Sequence, residues 1–157
     1  MDIPELKDGK YNIIESEPNE QVKEYVKSFV ERARVIRNGL VDPSEDNMLK
    51  ICHDAKLVST DIRMLEPDAE PDEEGKLYKC VNQIYKIWKD TTYMKGTQVV
   101  FSDIGVPSGE KNGFNVYSFI KTELINKGIP EKEICFIHDA KNDIERENMF
   151  QDVRNGV

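Results

Sequence analysis

Two aspartates, Asp103 and Asp139, are the residues whose type and spacing best suit chemistry. Each comes directly after a short apolar run, Gln98–Ser102 in one case and Ile134–His138 in the other. If both runs are parallel strands, the aspartates meet at the sheet edge where open α/β folds bind ligands. Two carboxylates there could hold Mg²⁺, as in aspartate-based phosphatases or receiver domains. Such sites also need Ser/Thr and Lys at later strand ends, which this sequence does not reach, so we expect neither metal nor cofactor in the chain itself. The alternative for both aspartates is a cap or turn role.

Both histidines precede an aspartate, at His53-Asp54 and His138-Asp139. A metal phosphohydrolase of the His-Asp type needs a further histidine upstream of the pair, and none precedes His53. We therefore expect His53 to be a partly buried polar residue within a helix. The glycine-containing segment 105–113 does not match G-x-x-x-x-G-K-[ST], so it predicts a surface loop rather than a phosphate cradle.

The elements that would position these residues follow from the spacing of apolar side chains. Positions three or four apart predict helices, at 20–38, from Asp42 to about 57, from Lys76 to about 91–96, around 116–125, and from Asn142 to about Arg154. Short strands are expected at Tyr11–Glu15, Gln98–Ser102 and Ile134–His138. The last two flank a helix of about 14 residues, which indicates a right-handed βαβ unit with parallel strands.

Three regions are expected along the chain. Residues 1–65 are mainly helical with a short N-terminal strand, 66–75 form an acidic, proline-containing loop, and 76–157 form an α/β region. Glu66–Glu74 carries six acids and two prolines in nine residues, a composition typical of a solvated segment. Because a parallel sheet needs both faces covered and more than two or three strands, we expect the chain to be a piece of a longer α/β domain.

Charge and cysteine usage bound the class of protein. The net charge of -8 argues against a free-standing nucleic-acid binder, which needs a basic face. The acidity is uneven: residues 1–75 hold 10 basic and 19 acidic side chains, and residues 76–157 hold 12 and 11. Cys52, Cys80 and Cys135 form no C-x-x-C pair, so reduced and mostly buried thiols are expected. With no secretory signal and no apolar stretch of membrane-spanning length, we expect a soluble, cytoplasmic protein with no membrane partner.

From residue 76 on, the order of features resembles the start of the second RecA-like lobe of superfamily-2 helicases, especially Swi/Snf-type translocases. The features are the helix Lys76–Lys89, the motif IV-like strand Gln98–Ser102, the helix end Lys127–Pro130, the turn Ile137–Ala140, and the spacing Arg146…Met149-Phe150…Val153…Gly156. In the N-terminal part, Tyr11–Glu15 with the helix Glu20–Asn38 resembles the segment joining the two lobes. Asp46–Ile51 resembles the helical insert before the second lobe.

The chain is also similar to very large bacterial and mobile-element proteins that combine helicase and adenine-methylase regions. The stretches that carry this likeness are Asp46–Ile51, Gln98–Asp103, Gly113–Tyr117 and Phe136–Ala140. The resemblance implies that 76–157 is an incomplete RecA-like, P-loop NTPase-type parallel sheet. It implies that the chain is part of the second motor lobe of an ATP-dependent DNA helicase or translocase.

Site residues and partners follow from the same resemblance. The residues expected to face the nucleic-acid cleft, where they would hold phosphates without reading sequence, are Ser102, Asp103, His138, Asp139 and Lys141. Partners would be DNA, through the intact parent, and the first RecA-like lobe. ATP and Mg²⁺ are expected only in that parent. The phosphate loop, the acidic Mg²⁺ box and the arginine-finger motif are missing from this sequence, so we expect no ATP hydrolysis by the fragment alone.

Two alternatives from other functional classes stay open. In the first, the chain is a protein-interaction module whose acidic helical half, residues 17–65, docks another lobe or chain. An apolar patch left uncovered by missing strands could also make the fragment a homodimer. In the second, Asp103 and Asp139 serve a small Mg²⁺-dependent phosphotransfer domain. The basic residues Arg32 and Arg37 of the first helix are expected either to lie on a solvated face or to grip phosphate.

Overall fold

The computed structural model describes residues 9–105 and 113–156, and within these ranges it contains helices and no β-strand. The helices are α1 (Glu20–Arg37), α2 (Met48–Thr60), α3 (Lys76–Thr91), α4 (Val116–Asn126) and α5 (Asp143–Asn155). Short 3₁₀ turns lie at Ile62–Met64, Thr92–Met94, Glu131–Glu133 and Ile137–Asp139. The α/β fold with an incomplete RecA-like parallel sheet is therefore wrong for the described part of the chain. Residues 1–8, most of the glycine-containing loop (106–112) and Val157 lie outside it.

Four of the five helices begin at an asparagine whose side chain caps the first turn. The Asn19 amide oxygen accepts a hydrogen bond from the Val22 backbone N–H at 2.9 Å. The other three N-cap residues make equivalent bonds, and they are Asn47, Asn115 and Asn142. Each cap satisfies at least one backbone N–H that has no partner within the helix. The predicted helices at 20–38, 116–125 and 142–154 are thereby confirmed to within two residues.

Helices α1 and α4 end in the same way. The Leu40 backbone N–H donates to the Val35 carbonyl, and that of Ile129 donates to the Leu124 carbonyl, both at 3.1 Å. This six-to-one bond closes a Schellman motif, which needs a residue of positive φ one position earlier. That position is filled by glycine in both helices, Gly39 (φ 66°) and Gly128 (φ 99°).

Helix α2 begins six residues later than the sequence predicts. The Asp42 carboxylate accepts hydrogen bonds from the backbone N–H of Ser44 at 2.8 Å and from its hydroxyl at 2.6 Å. These bonds, with a backbone bond from Glu45 to the Asp42 carbonyl, make a turn around Pro43 that competes with the helix. The helix therefore starts only where Asn47 offers a second cap.

Six of the nine buried hydrophobic residues in the described ranges form two clusters, each between two helices, and the other three are Ile62, Leu77 and Val116. Phe29 of α1 packs against Ile51 and Val58 of α2. Val81 of α3 and Leu124 of α4 pack together with Ile129. Half-buried apolar side chains surround each cluster: Val22, Tyr25, Ala33, Ile36, Ala55 and Leu65 around the first, and Ile84, Tyr85, Trp88, Phe119, Ile120 and Ile134 around the second.

The three predicted strands have no partners among the described residues, for a physical reason in each case. A strand is stable only when its backbone groups pair with a neighbouring strand. Helix α3 instead packs directly on α4, so no sheet lies between them. The run Ile134–His138 curls into a turn in which the Asp139 N–H donates to the Phe136 carbonyl at 3.0 Å. Tyr11–Glu15 lies exposed, and Gln98–Ser102 makes no backbone–backbone hydrogen bond to a described residue.

Burial differs from expectation at several polar positions. Cys52 and Cys135 are exposed rather than buried, and His53 is also exposed. Cys80 alone is half-buried, and burial raises the pKa of its thiol. In the described ranges, no helix combines the length and apolar character needed to cross a bilayer.

Candidate functional site

Tyr117 of α4 is the point where two of the predicted nucleic-acid segments meet. Its hydroxyl donates a hydrogen bond to the Ser102 carbonyl at 3.3 Å. Its ring meets the ring of His138 edge to face, with centroids 5.5 Å apart, and that of Phe136 in the same way at 5.6 Å. Ser102 and His138, 36 positions apart in sequence, thus share one tyrosine side chain. Tyr117 was not predicted as a site residue, although its place on the apolar side of a predicted helix was the available signal.

The other predicted nucleic-acid residues make no side-chain contact that ties them to Tyr117 among the described hydrogen bonds and ring contacts. Asp103, Asp139 and Lys141 are exposed, and their side chains make no hydrogen bond to the described residues. The Lys141 backbone N–H donates to a Glu145 carboxylate oxygen at 2.8 Å, which belongs to the cap of α5. The described ranges contain no group of three His, Cys, Asp or Glu side chains placed to hold a metal ion. Among the described residues, Asp103 and Asp139 are therefore not joined by a third His, Cys, Asp or Glu side chain.

The Arg32 side chain of α1 binds two carboxylates, that of Asp46 just before α2 and that of Asp54 within α2. Its Nε and Nη2 atoms each donate to one Asp46 carboxylate oxygen at 2.8 Å, and its Nη1 donates to Asp54 at 2.7 Å. This two-pronged arrangement is the geometry in which guanidinium binds carboxylate most strongly. The bond from Arg32 lowers the pKa of Asp46. Arg32 is thus paired with two carboxylates rather than simply solvated, whereas Arg37 is exposed.

Arg63, in the 3₁₀ turn that follows α2, links the pair α1–α2 to the pair α3–α4. Its guanidinium forms two hydrogen bonds, of 2.8 and 2.7 Å, to the two carboxylate oxygens of Asp61. The same group lies over the rings of Phe114 at 4.2 Å and Phe119 at 4.6 Å. Both charged side chains are largely buried, with 12% of Arg63 and 7% of Asp61 exposed. A guanidinium that both pairs and stacks uses properties that lysine lacks.

Neither member of this pair was expected from the sequence. The available signal was an Asp-x-Arg triplet directly after a predicted helix, with two phenylalanines five positions apart further along. Pairs within two positions of each other, such as Asp61 and Arg63, are common on exposed surfaces. Burial of the pair depends on α4, which lies more than 50 positions later.

The ionisation of Tyr25 reports on the contact between α1 and Glu66, the first residue of the acidic segment 66–75. The Tyr25 hydroxyl donates to the Glu66 carboxylate. That bond, then burial, then the negative charges of Glu66 and Asp54 raise the pKa of Tyr25 to about 12. Between pH 10 and 12 the unfolded chain loses the phenolic proton while the folded chain keeps it, so stability falls across this window. We expect ultraviolet titration to show one of the six tyrosines ionising last.

Two variants check the assignment of that tyrosine. Tyr25→Phe should remove the late-ionising group and flatten the loss of stability between pH 10 and 12, measured by urea unfolding. Glu66→Gln should return the late group towards the ordinary tyrosine pKa of about 10. A late-ionising group that persists in Tyr25→Phe contradicts the assignment.

Uncovered apolar side chains are the most extensive feature of the surface. Within the described ranges, 18 large apolar side chains are exposed and nine hydrophobic residues are buried. Isolated exposed apolar residues are ordinary, but groups of them mark interaction surfaces. Two groups stand out here: Val26 and Val30 on α1, and the consecutive residues Val99–Phe101.

The contacts at Tyr117 involve only two of the residues predicted from the helicase resemblance. Ser102 and His138 lie together at Tyr117, but the sheet whose edge they were to occupy is absent from residues 9–105 and 113–156. The helicase or translocase function therefore stays a prediction. Compared with known protein families, with curated proteins and with solved structures, the chain matches none of them.

Proposed function

We propose that this chain is a protein-interaction module whose uncovered apolar side chains are covered by another protein. The observation that carries the proposal is surface area. The chain exposes 12158 Å², whereas a compact monomer of its 18.1 kDa exposes about 8100 Å². Counting the 16 residues outside the described ranges as fully exposed accounts for roughly 2700 Å² of the excess. At least about 1400 Å² remains, and a standard interface takes about 800 Å² from each partner.

The docking surface on the first helix pair is a ridge along α1. Val26 and Val30 are four positions apart, so they lie on one face of the helix, and they are 52% and 57% exposed. The exposed basic side chains along this ridge are Lys23, Lys27 and Arg34. We call these five residues the α1 ridge. It lies beside the stripe that packs on α2, so a partner helix placed on it would extend the same core.

The side chains of the α1 ridge indicate what kind of partner fits it. Residues 1–75 are acidic as a whole, but the acids concentrate before α1 and in the segments 42–46 and 61–74. Two of the three basic side chains of the ridge are paired with acids of the same helix, Lys23 with Glu20 and Arg34 with Glu31. The charge along the ridge is therefore mixed, and its apolar side chains define the partner. A complementary partner presents an apolar helix face.

The experiment uses a synthetic amphipathic helical peptide with leucines on one face and glutamates on the other. We expect the chain to bind it with a negative heat-capacity change in titration calorimetry, the mark of apolar burial. The double variant Val26→Ser/Val30→Ser should weaken binding by about tenfold or more, equivalent to about 1.4 kcal/mol. The variant changes no charge, so a purely electrostatic contact would not respond to it.

Val99→Ser is the matched control, because Val99 is 62% exposed and lies outside the α1 ridge. It should bind the peptide as the native chain does. If the native chain does not bind the peptide, or if all three proteins bind it equally, the proposal is wrong. A result in which Val99→Ser weakens binding as much as the ridge variant would also overturn the assignment to α1.

A further inference from the structure

The segment Gln98–Ser102 is held at both ends and exposed in the middle. The Gln98 side-chain amide donates to the Ile84 carbonyl of α3 at 3.0 Å. At the other end, the Ser102 carbonyl accepts the Tyr117 hydroxyl of α4. Just before the segment, the Thr97 hydroxyl donates to a carbonyl of α5 at 3.0 Å. Three helices therefore fix the position of the segment, which lowers the entropy cost of binding through it.

The middle of the segment is exposed and its two ends are half-buried. Val99 is 62% exposed, Val100 44% and Phe101 89%, while Gln98 and Ser102 are half-buried. No backbone N–H of residues 98–102 donates a backbone–backbone hydrogen bond to a described residue. An exposed run of β-branched and aromatic residues whose backbone N–H groups have no described backbone partner is a template for pairing with another chain.

We infer that a second copy of this chain pairs with the segment, antiparallel and about a two-fold axis at Val100. Each copy contributes the same residues, as a two-fold interface requires. In this register Val100 faces Val100, and Val99 of each copy faces Phe101 of the other. Cross-strand pairs of an aromatic and a β-branched residue are among the most favourable in antiparallel sheets.

Charge identifies a second copy as the occupant. Residues 96–102 carry no charge, so two chains of net charge -8 approach there with the least repulsion. In the register above, Asp103 faces Thr97, so no two like charges face each other along the paired segment.

The first experiment measures mass against concentration by sedimentation. The native chain should move from 18.1 kDa towards twice that value as concentration rises through the micromolar range. Phe101→Asp should weaken self-association by about tenfold or more, because it removes the largest apolar contact and adds a like charge on each side. Ile144→Asp is the control, since Ile144 is exposed on α5 and the same substitution there should leave the mass curve unchanged.

The second experiment tests the register. In a background with the exposed Cys52 and Cys135 changed to serine, Val100→Cys should form an intermolecular disulfide with oxidised glutathione. Facing antiparallel residues have Cα atoms about 4.5–5.5 Å apart, within the range a disulfide spans. Val99→Cys should not crosslink, because its own copy lies at a diagonal distance of about 7–8 Å.

Three outcomes overturn the inference: a strict monomer at all concentrations, self-association unaffected by Phe101→Asp, or equal crosslinking of both cysteine variants. A strict monomer would leave the segment to a different protein. The inference is independent of the proposed docking on the α1 ridge, because the ridge variant leaves residues 98–102 intact. Each can therefore fail without the other.

Discussion

Arg63→Ala is expected to lower the free energy of unfolding by about 3 kcal/mol, the low end for breaking a buried ion pair. The substitution leaves the Asp61 carboxylate largely buried with no cation and removes the guanidinium from the faces of Phe114 and Phe119. For a chain of this size the thermal midpoint should fall by roughly 6–12 °C. Urea unfolding followed by circular dichroism measures the free-energy change, since the described structure is helical.

Arg34→Ala is the matched control for this prediction. Arg34 also pairs with a carboxylate, that of Glu31 at 2.9 Å, but both side chains are mostly exposed. Exposed pairs contribute about 0–1 kcal/mol, so this variant should unfold nearly as the native chain does. Arg63→Lys should lie between the two, because lysine keeps the charge and loses the planar, two-pronged contact. Equal losses for Arg63→Ala and Arg34→Ala would show that Arg63 does not join the two helix pairs.

Leu124→Ala is expected to cost a similar amount, about 3 kcal/mol, by a different mechanism. Leu124 is buried against Val81 and Ile129 where α3 and α4 meet. Truncating it removes apolar contacts and leaves a cavity that the surrounding helices fill only in part. Trp88, the one tryptophan of the chain, packs against this cluster. Its fluorescence therefore follows the unfolding of this helix pair directly.

Ile125→Ala, one position further along α4, separates burial from helix propensity. Ile125 is exposed, and alanine favours helix at least as well as isoleucine. The change should alter stability by no more than about 0.5 kcal/mol. A loss as large as that of Leu124→Ala would mean that another surface, rather than α3, covers this face of α4.

The helices were predictable because their signals are local. The end of α1 at Asn38-Gly39 and that of α4 at Lys127-Gly128 were readable from glycine and the basic residues before it. The start of α2 was not, because Asp42 and Asn47 are both good caps and the sequence does not rank them. In the structure Asp42 binds Ser44 in a turn of its own, and the helix begins at the later cap.

The strands were mispredicted because β structure depends on a partner. Gln98–Ser102 has the composition of a strand, but no described segment pairs with it. Ile134–His138 has a similar composition and turns back on itself after Phe136. Composition shows that a segment is suited to a strand, but the segment forms a strand only when a neighbouring strand pairs with it.

The candidate site was predictable in its parts and not in its arrangement. Ser102 and His138 were chosen as ends of adjacent strands. They do lie near each other, but through Tyr117 rather than at a sheet edge. Arg32 was expected on a solvated face, with phosphate binding as the alternative, and it is held by two aspartates. A basic residue on a helix looks the same in sequence whether its partner is solvent, phosphate or a carboxylate.

By itself, the sequence determined where helices form in this chain and where most of them stop. Caps, glycines and apolar spacing act over three or four residues, so no distant contact is needed to read them. Only the tertiary structure decided which apolar faces were covered and which charges were paired. Arg32 and Asp54 are 22 positions apart, and Arg63 reaches rings more than 50 positions later. Such contacts depend on how the helices pack, and the packing left the α1 ridge and residues 99–101 uncovered.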